Sequence, residues 1–368
     1  MATQGAPSLP PPAERVVCAV MAGGSGTRFW PLSRKREPKQ LLQFFGEKSL
    51  LRVTMDRIAP LCPPRQRLCV TAQHLQDAVA AVLPELGAGQ ILAEPTPRNT
   101  APCMAIAAIV AEQVTPGAIL VLLPSDHFVA DAAAFRAAIV RAAQHADLGH
   151  VVTLGIRPTV PETGYGYIEL GPDLGDQAHA VARFVEKPDL ATAEQYLLGG
   201  AHLWNAGVFV LRADKALAAV AQHVPAISAA LAPLQAPGLR FDSPPFAAAL
   251  AAQFPLCPSV SIDYGIAEKE PDIRCVRLDA GWSDVGTWQS VHGLRPEGSD
   301  NFTHGPVFAL DTEGSVLISK GPYLAAIGLR DVAVVATDDA TLVLPLDRSQ
   351  DVRLVVAELS KLGRSDLL

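Results

Sequence analysis

At 368 residues, with 49% apolar and 18% charged residues, the chain has the length and composition of a globular protein, enough for one large α/β domain plus a smaller unit; a disordered or fibrous class is excluded. A formal net charge of -7 argues against a sequence-independent grip on nucleic acid, which relies on clustered Lys and Arg, but leaves room for a local cationic pocket that takes a small anion. Six cysteines, Cys18, Cys62, Cys69, Cys103, Cys257 and Cys275, occur with no CxxC pair and no accompanying His spacing, so they read as core thiols in a reducing compartment.

Residues 1–14 are rich in Pro and small side chains and lack the apolar core of a signal peptide, which predicts a flexible tail. No apolar run approaches membrane-spanning length, so a soluble, cytoplasmic protein with neither membrane nor nucleic-acid partner is expected. From Val16 onward, short β-branched runs at 16–21, 68–71, 91–93 and 119–123 alternate with helical spacing at 50–58, 75–83, 101–112 and 132–145. Asn99 or Thr100 is placed to cap the third helix. After 151–154 the pattern shifts to Gly- and Pro-broken strands at 166–170, 181–185 and 208–211, then to helical stretches at 215–232 and 245–253.

Beyond residue 300 the strands are short and evenly spaced, at 306–310, 315–319, 323–327, 332–336 and 341–345, as in the rungs of a small β-solenoid or sandwich closed by a helix over 351–362. The fold class expected is α/β: a Rossmann-like, mostly parallel mixed sheet flanked by helices over 15–295, followed by a small β-solenoid-like unit over 300–368.

The densest chemistry lies where the first strand ends at Ala22. Gly23, Gly24 and Gly26 let backbone N–H groups approach phosphate oxygens closely, and Thr27, Arg28 and Lys39 follow. Arg28 suits bidentate phosphate contact and Lys39 a compact point charge. A Walker A loop is excluded because no Gly-Lys-Ser/Thr follows, and a dinucleotide fingerprint from Gly24 fails at Phe29. Asp126 follows an apolar strand, at the carboxyl end where open α/β sheets bind ligands, and Asp284 sits in a Gly-flanked loop. Either alone reads equally as a turn or cap residue.

The segment GTRFWPLSR at 26–34 with EPKQ at 37–40 resembles the signature of the sugar-nucleotide pyrophosphorylases, and most closely their mannose-1-phosphate guanylyltransferase branch. EPTPRNTAP at 94–102, LPSDH at 123–127, ETGYGYI at 162–168, FVEKP at 184–188, WNAGVFV at 204–210 and GWSDVGTW at 281–288 carry the resemblance through nearly the whole chain. It implies a nucleotidyltransferase that makes GDP-mannose and pyrophosphate from GTP and mannose 1-phosphate. By that resemblance, Mg²⁺ sits on Asp126 and Asp284, and Arg28, Lys39 and Lys187 serve catalysis. Ala22, Gly23, Gly24, Gly26, Thr27, Glu94, Arg98, Asn99 and Asp126 bind the nucleotide, and Tyr165, Gly166, Glu186, Asn205 and Gly207 the sugar. Tyr165 reads equally as core packing, and Asn99 as a helix cap.

His127 is assigned a supporting or packing role, because a sugar phosphate is already an ionised nucleophile and needs no general base. The resemblance also allows a homodimer through the terminal β unit. Some members carry a further C-terminal isomerase domain; with Leu368 as the last residue, isomerase activity is not expected. The alternatives are another hexose 1-phosphate or nucleotide, or a catalytically silent subunit that senses sugar nucleotides. Retention of Arg28, Lys39, Asp126, Lys187 and Asp284 weighs against the last.

Overall fold

The computed structural model describes residues 9–24 and 26–368. Of the tail expected over 1–14, residues 1–8 lie outside the described residues, as does Ser25 of the glycine loop. Pro12–Arg15 form a single 3₁₀ turn in which the buried Arg15 donates to the Gly117 carbonyl at 2.7 Å. By packing, the chain divides into two compact units. One comprises residues up to Gly23 with Met55–Pro124 and Val129–Gly281; the other comprises Gly24–Thr54, Ser125–Phe128 and Trp282–Leu368.

The first unit is built on a nine-stranded sheet. Its strands are β1 (Val16–Ala22), β2 (Arg67–Ala72), β3 (Ile91–Glu94) and β4 (Ile119–Pro124); after the two-residue β5 (Phe128–Val129) come β6 (Val151–Ile156), β7 (Gly166–Gly175), β8 (Ala178–Glu186), β9 (His202–Arg212) and β10 (Ile273–Arg277), in the order β3-β2-β1-β4-β9-β6-β10-β8-β7. β1 runs parallel to β2 and β4, with Met21 opposite Pro124, so the carboxyl ends of β1 and β4 lie side by side. The mixed character comes from β9, which is antiparallel to β4, β6 and β7, and from β8, which is antiparallel to β7 and β10. Trp204 stands opposite both Ile156 and Tyr167, so β9, β6, β10, β8 and β7 pair in a closed ring.

Because side chains alternate along a strand, β1 sends Val17 and Ala19 into one apolar layer, shared with Leu120 and Leu122 of β4 and the helix Thr100–Val114. That helix is buried all round from Ala101 to Ala111, as a core helix of an α/β protein must be. The helical stretch expected over 215–232 comprises two helices, Ala213–His223 and Pro225–Leu231. Pro225 cannot continue the first helix, and it forces Val224 out of the helical region, with ψ at 63°. All six cysteines are buried and unbridged. Among the described residues no single helix is long and apolar enough to cross a membrane.

The second unit carries β11 (Trp282–Ser283), β12 (Phe302–His304), β13 (Val307–Leu310), β14 (Val316–Lys320), β15 (Leu324–Ile327), β16 (Val332–Thr337) and β17 (Thr341–Pro345). β12, β14 and β16 stack in parallel, and β13 stacks on β15. Val307 faces Leu324 and Val316 faces Ala333, a repeat of seventeen residues on two walls, which makes the element a solenoid and not a sandwich. β17 closes it antiparallel to β16. The apolar core of this unit joins Phe29 and Trp30 of the segment after the glycines, Val285 and Trp288 of the second aspartate loop, and Val316 and Val335 of the solenoid. Phe29 meets the fully buried Trp288 edge to face at 4.8 Å.

Candidate functional site

The glycine loop turns on Gly26, whose φ of +57° is left-handed. A Cβ there would lie 2.4 Å from the Lys39 Cβ and 2.7 Å from its backbone nitrogen, so only glycine lets the two segments close. Ser33 Oγ donates to the Gly26 carbonyl at 2.7 Å, and Gln40 Nε2 to the Gly24 carbonyl at 3.0 Å, which fixes the loop from both sides. Thr27 and Arg28 follow in a 3₁₀ turn and expose their side chains.

Lys39 is 5% exposed, yet its ammonium is well satisfied. Nζ donates to Asp126 Oδ2 at 2.7 Å and to the Asp284 backbone carbonyl at 2.6 Å, with the Phe29 ring 5.6 Å away. Two loops distant in sequence therefore meet on one positive charge. Burial by itself raises the Asp126 carboxyl, but the Lys39 ammonium, His127 and the Lys39 hydrogen bond outweigh it and hold the group below the usual carboxylate range. Asp126 is thus an anion at neutral pH, with its side chain about one third exposed (31%).

The Asp284 carboxylate accepts from the Gly286 N–H at 3.0 Å, so the turn role is real for this residue. Val285, fully buried, is held at φ +48°, a left-handed conformation rare for a β-branched residue. That conformation occurs at the residue following the carbonyl that Lys39 uses. Among the described residues no three His, Cys, Asp or Glu side chains gather as a metal cage. A Mg²⁺ ion held by one or two carboxylates together with phosphate oxygens and water needs no such cage; Lys39 joins the Asp126 carboxylate to the backbone carbonyl of Asp284, not to its carboxylate. His127 accepts from Trp282 Nε1 at 3.2 Å through Nδ1 and stacks edge-on against that ring. These contacts give it a supporting place beside Asp126.

In the other unit, Ala22 ends β1 with its carbonyl held by Thr71 Oγ1 at 3.0 Å, and a Cβ on Gly23 would lie 2.9 Å from Glu94 Oε2. Glu94 is buried at the end of β3, accepts from Cys103 Sγ at 2.7 Å, and is pushed up to about 7 by burial, against the lowering effect of that bond. Asn99 adopts φ +65° and its Oδ1 accepts from Thr100 N at 2.9 Å, so it caps the helix that follows. Arg98 donates through Nη2 to the Pro255 carbonyl.

Asn205 lies within β9, next to the bulge formed by Gly207 at φ +65°. Its Oδ1 accepts from Thr153 Oγ1 at 2.7 Å and from Gly207 N at 3.1 Å, which assigns the amide orientation, and Nδ2 donates to Asp263 Oδ1 at 3.0 Å. Lys187, at φ +48°, pairs with Glu186, and its N–H donates to the Tyr165 carbonyl at 3.2 Å. A Cβ on Gly166 would sit 2.6 Å from Glu186 Oε2. Tyr165 packs edge-on against Trp204 at 5.1 Å.

Two carboxylates of this cluster escaped the sequence reading. Asp263 is pushed up to about 6 by burial and by the charge of Glu186, and Glu268 Oε1 accepts from Glu186 N at 3.2 Å. Asp263 opens the π-helical turn Asp263–Ala267 and Glu268 follows it, with Glu268 N donating to the Asp263 carbonyl at 3.0 Å. The available signal was a pair of acids five residues apart in an apolar stretch, the spacing that such a turn brings to one side.

Residues 18–297 match the family model described as Nucleotidyl transferase, and residues 305–359 that of the MannoseP isomerase/GMP-like beta-helix domain. The chain is 44% identical over 360 residues to the xanthan biosynthesis protein XanB of Xanthomonas campestris pv. campestris, covering 95% of this chain and 74% of that protein. It is 40% identical over 356 residues to a mannose-1-phosphate guanylyltransferase of Escherichia coli, covering 94% and 74%. Among solved structures it is similar to one described as a mannose-1-phosphate geranyltransferase from Thermus thermophilus, at TM-score 0.85 and 35% identity, over 94% of this chain and 99% of that one.

Proposed function

The chain belongs to the nucleotidyl transferase family, and on that premise we propose that it joins GTP to mannose 1-phosphate, giving GDP-mannose and pyrophosphate. An ionised oxygen of the sugar phosphate attacks the α-phosphorus of GTP, the new P–O bond forms, and the bond to the bridging oxygen breaks as pyrophosphate leaves. The nucleophile arrives as an anion, so no side chain has to remove a proton, and catalysis reduces to positioning and charge neutralisation.

In this reading the amides of Gly23, Gly24 and Gly26 and the exposed Arg28 hold the triphosphate. Lys39 neutralises charge at the reacting phosphate. Asp126 and Asp284 hold Mg²⁺, which when bound supplies further neutralisation of the phosphate oxygens. Lys187 exchanges its bond to Glu186 for one to the sugar phosphate, while Glu186 and Asn205 read hydroxyls beside Tyr165, Gly166 and Gly207. Glu94 meets the base, with Arg98 and Asn99 shaping the turn around it.

The observation that carries the reading is Lys39, whose backbone and Cβ lie against Gly26 while its ammonium bonds at once to the Asp126 carboxylate and the Asp284 carbonyl. A solvated basic loop would not bury its lysine on two loops so far away in the chain. The test is pyrophosphate release across four nucleoside triphosphates and several hexose 1-phosphates, with and without Mg²⁺. GTP with mannose 1-phosphate should be fastest and require the ion. A faster pair of another kind would overturn the substrate assignment, and no release from any pair would favour a catalytically silent sugar-nucleotide sensor.

A further inference from the structure

The loop between Gly26 and Lys39 must hold its shape for either residue to reach a phosphate, yet its middle is strongly basic and partly exposed. Its tip is a reciprocal turn: Arg34 N donates to the Glu37 carbonyl at 3.0 Å, and Glu37 N to the Arg34 carbonyl at 3.1 Å. Three side chains of the loop then reach elements after residue 300. Trp30 Nε1 donates to the Leu367 carbonyl at 2.8 Å. Glu37 pairs with Lys320 of β14 at 3.0 Å. Arg34 does most: Nη1 donates to the same Leu367 carbonyl, Nη2 to Asp339 Oδ1 at 2.8 Å, and its guanidinium lies 5.5 Å from the Trp30 ring centroid.

Asp339 is itself held, since Thr337 Oγ1 donates to the same Oδ1 at 2.8 Å in the turn between β16 and β17. Arg34 is thus one planar fork closed on two acceptors, with its side chain only 16% exposed. On the loop's inner side, Ser33, the residue before it, bonds the Gly26 carbonyl. A displacement of Arg34 is therefore passed one residue on to the carbonyl of the left-handed glycine.

We propose that Arg34 is a positioning residue: by clamping the loop to the Asp339 turn and the Leu367 carbonyl, it makes the C-terminal solenoid part of the triphosphate site and sets affinity for the nucleotide. The proposal rests on the assignment of this loop to the nucleotide phosphates. Arg34 touches no substrate in this account and acts through Gly26 and Lys39.

The test compares the full chain with Arg34→Met and Arg34→Lys in pyrophosphate release, varying GTP and mannose 1-phosphate separately. Arg34→Met should raise KM for GTP roughly tenfold, the ratio that corresponds to about 1.4 kcal/mol for a lost charge-assisted hydrogen bond. KM for mannose 1-phosphate should stay within about twofold, the ordinary scatter of a distant substitution. Arg34→Lys keeps the charge and one of the two bonds, so it should recover part of the loss. Equal changes in both KM values, or a fall in melting temperature with unchanged KM for GTP, would overturn the proposal and leave a structural tie. Wild-type protein with no transferase activity would instead refute the function assigned above, and the direct binding of GTP to each variant would still report on the clamp.

Discussion

Gly26→Ala tests the geometry that seats Lys39. The added Cβ would lie 2.4 Å from the Lys39 Cβ, 2.7 Å from its nitrogen and 3.1 Å from its Cα, and two of those atoms are backbone, so no flexible side chain can swing away. A left-handed alanine costs about 1–2 kcal/mol, and forcing a packed segment apart costs about 1–3 kcal/mol, for a total of about 2–5 kcal/mol in urea unfolding. The same displacement moves the Lys39 ammonium off Asp126 and the Asp284 carbonyl, and a shift of about 1 Å at a positioned group costs on the order of 100-fold in turnover. Gly24→Ala is the control: it has no positive φ, and its Cβ would meet nothing within 4 Å, so its stability should change by less than about 0.5 kcal/mol. A Gly26→Ala protein as stable and as active as wild type, or equal costs at both glycines, would refute the reasoning.

Glu94→Gln probes the buried acid. The folded-state value of about 7 lies above that of an unfolded glutamate, so the stability this group contributes is complete below about pH 4.3 and is lost as pH rises through 7. From this group the wild type should lose about 3 kcal/mol between pH 4 and 8.5, and the variant should not; parallel stability curves would contradict that. Asn99→Ala should cost about 1–2 kcal/mol through the lost cap and the φ of +65°, whereas Asn99→Gly, free of backbone strain, should cost only a few tenths. Equal thermal shifts for the two would point away from a capping role.

Much of the first sheet was legible because strands buried on both faces write continuous apolar runs, as β1 and β4 do. The glycines and Asp126 were legible for the related reason that they follow the carboxyl ends of those strands. β10 was not: Arg274 and Arg277 interrupt its apolar pattern, and only its neighbours β6 and β8 make a strand of it. The break at Pro225 was written in the sequence but masked by the Ala-rich helical spacing on either side. Asn99 reads equally as cap and ligand in the sequence, and its φ and its bond to Thr100 show the cap.

What no local pattern carries is convergence. Lys39 meets Asp126 across 87 positions and the Asp284 carbonyl across 245, and the Asn205–Asp263 bond spans 58. Such pairings are decided by packing, for Lys39 by a core in which Phe29, Trp288 and the solenoid valines share one interior. Motif resemblance supplied the residues, and the fold shows which of them touch: Lys39 bonds Asp126 and the Asp284 carbonyl, and Lys187 pairs with Glu186.

Asp126, the carboxylate that Lys39 grips, is the group on which the proposed transfer depends. The most direct measurement is the formation of GDP-mannose and pyrophosphate from GTP and mannose 1-phosphate at saturating Mg²⁺, by the full chain and by Asp126→Asn side by side. The wild type should form the two products in equal amounts, and the variant should be slower by about 100-fold or more while melting as a folded protein. Turnover by Asp126→Asn equal to wild type would contradict the central claim.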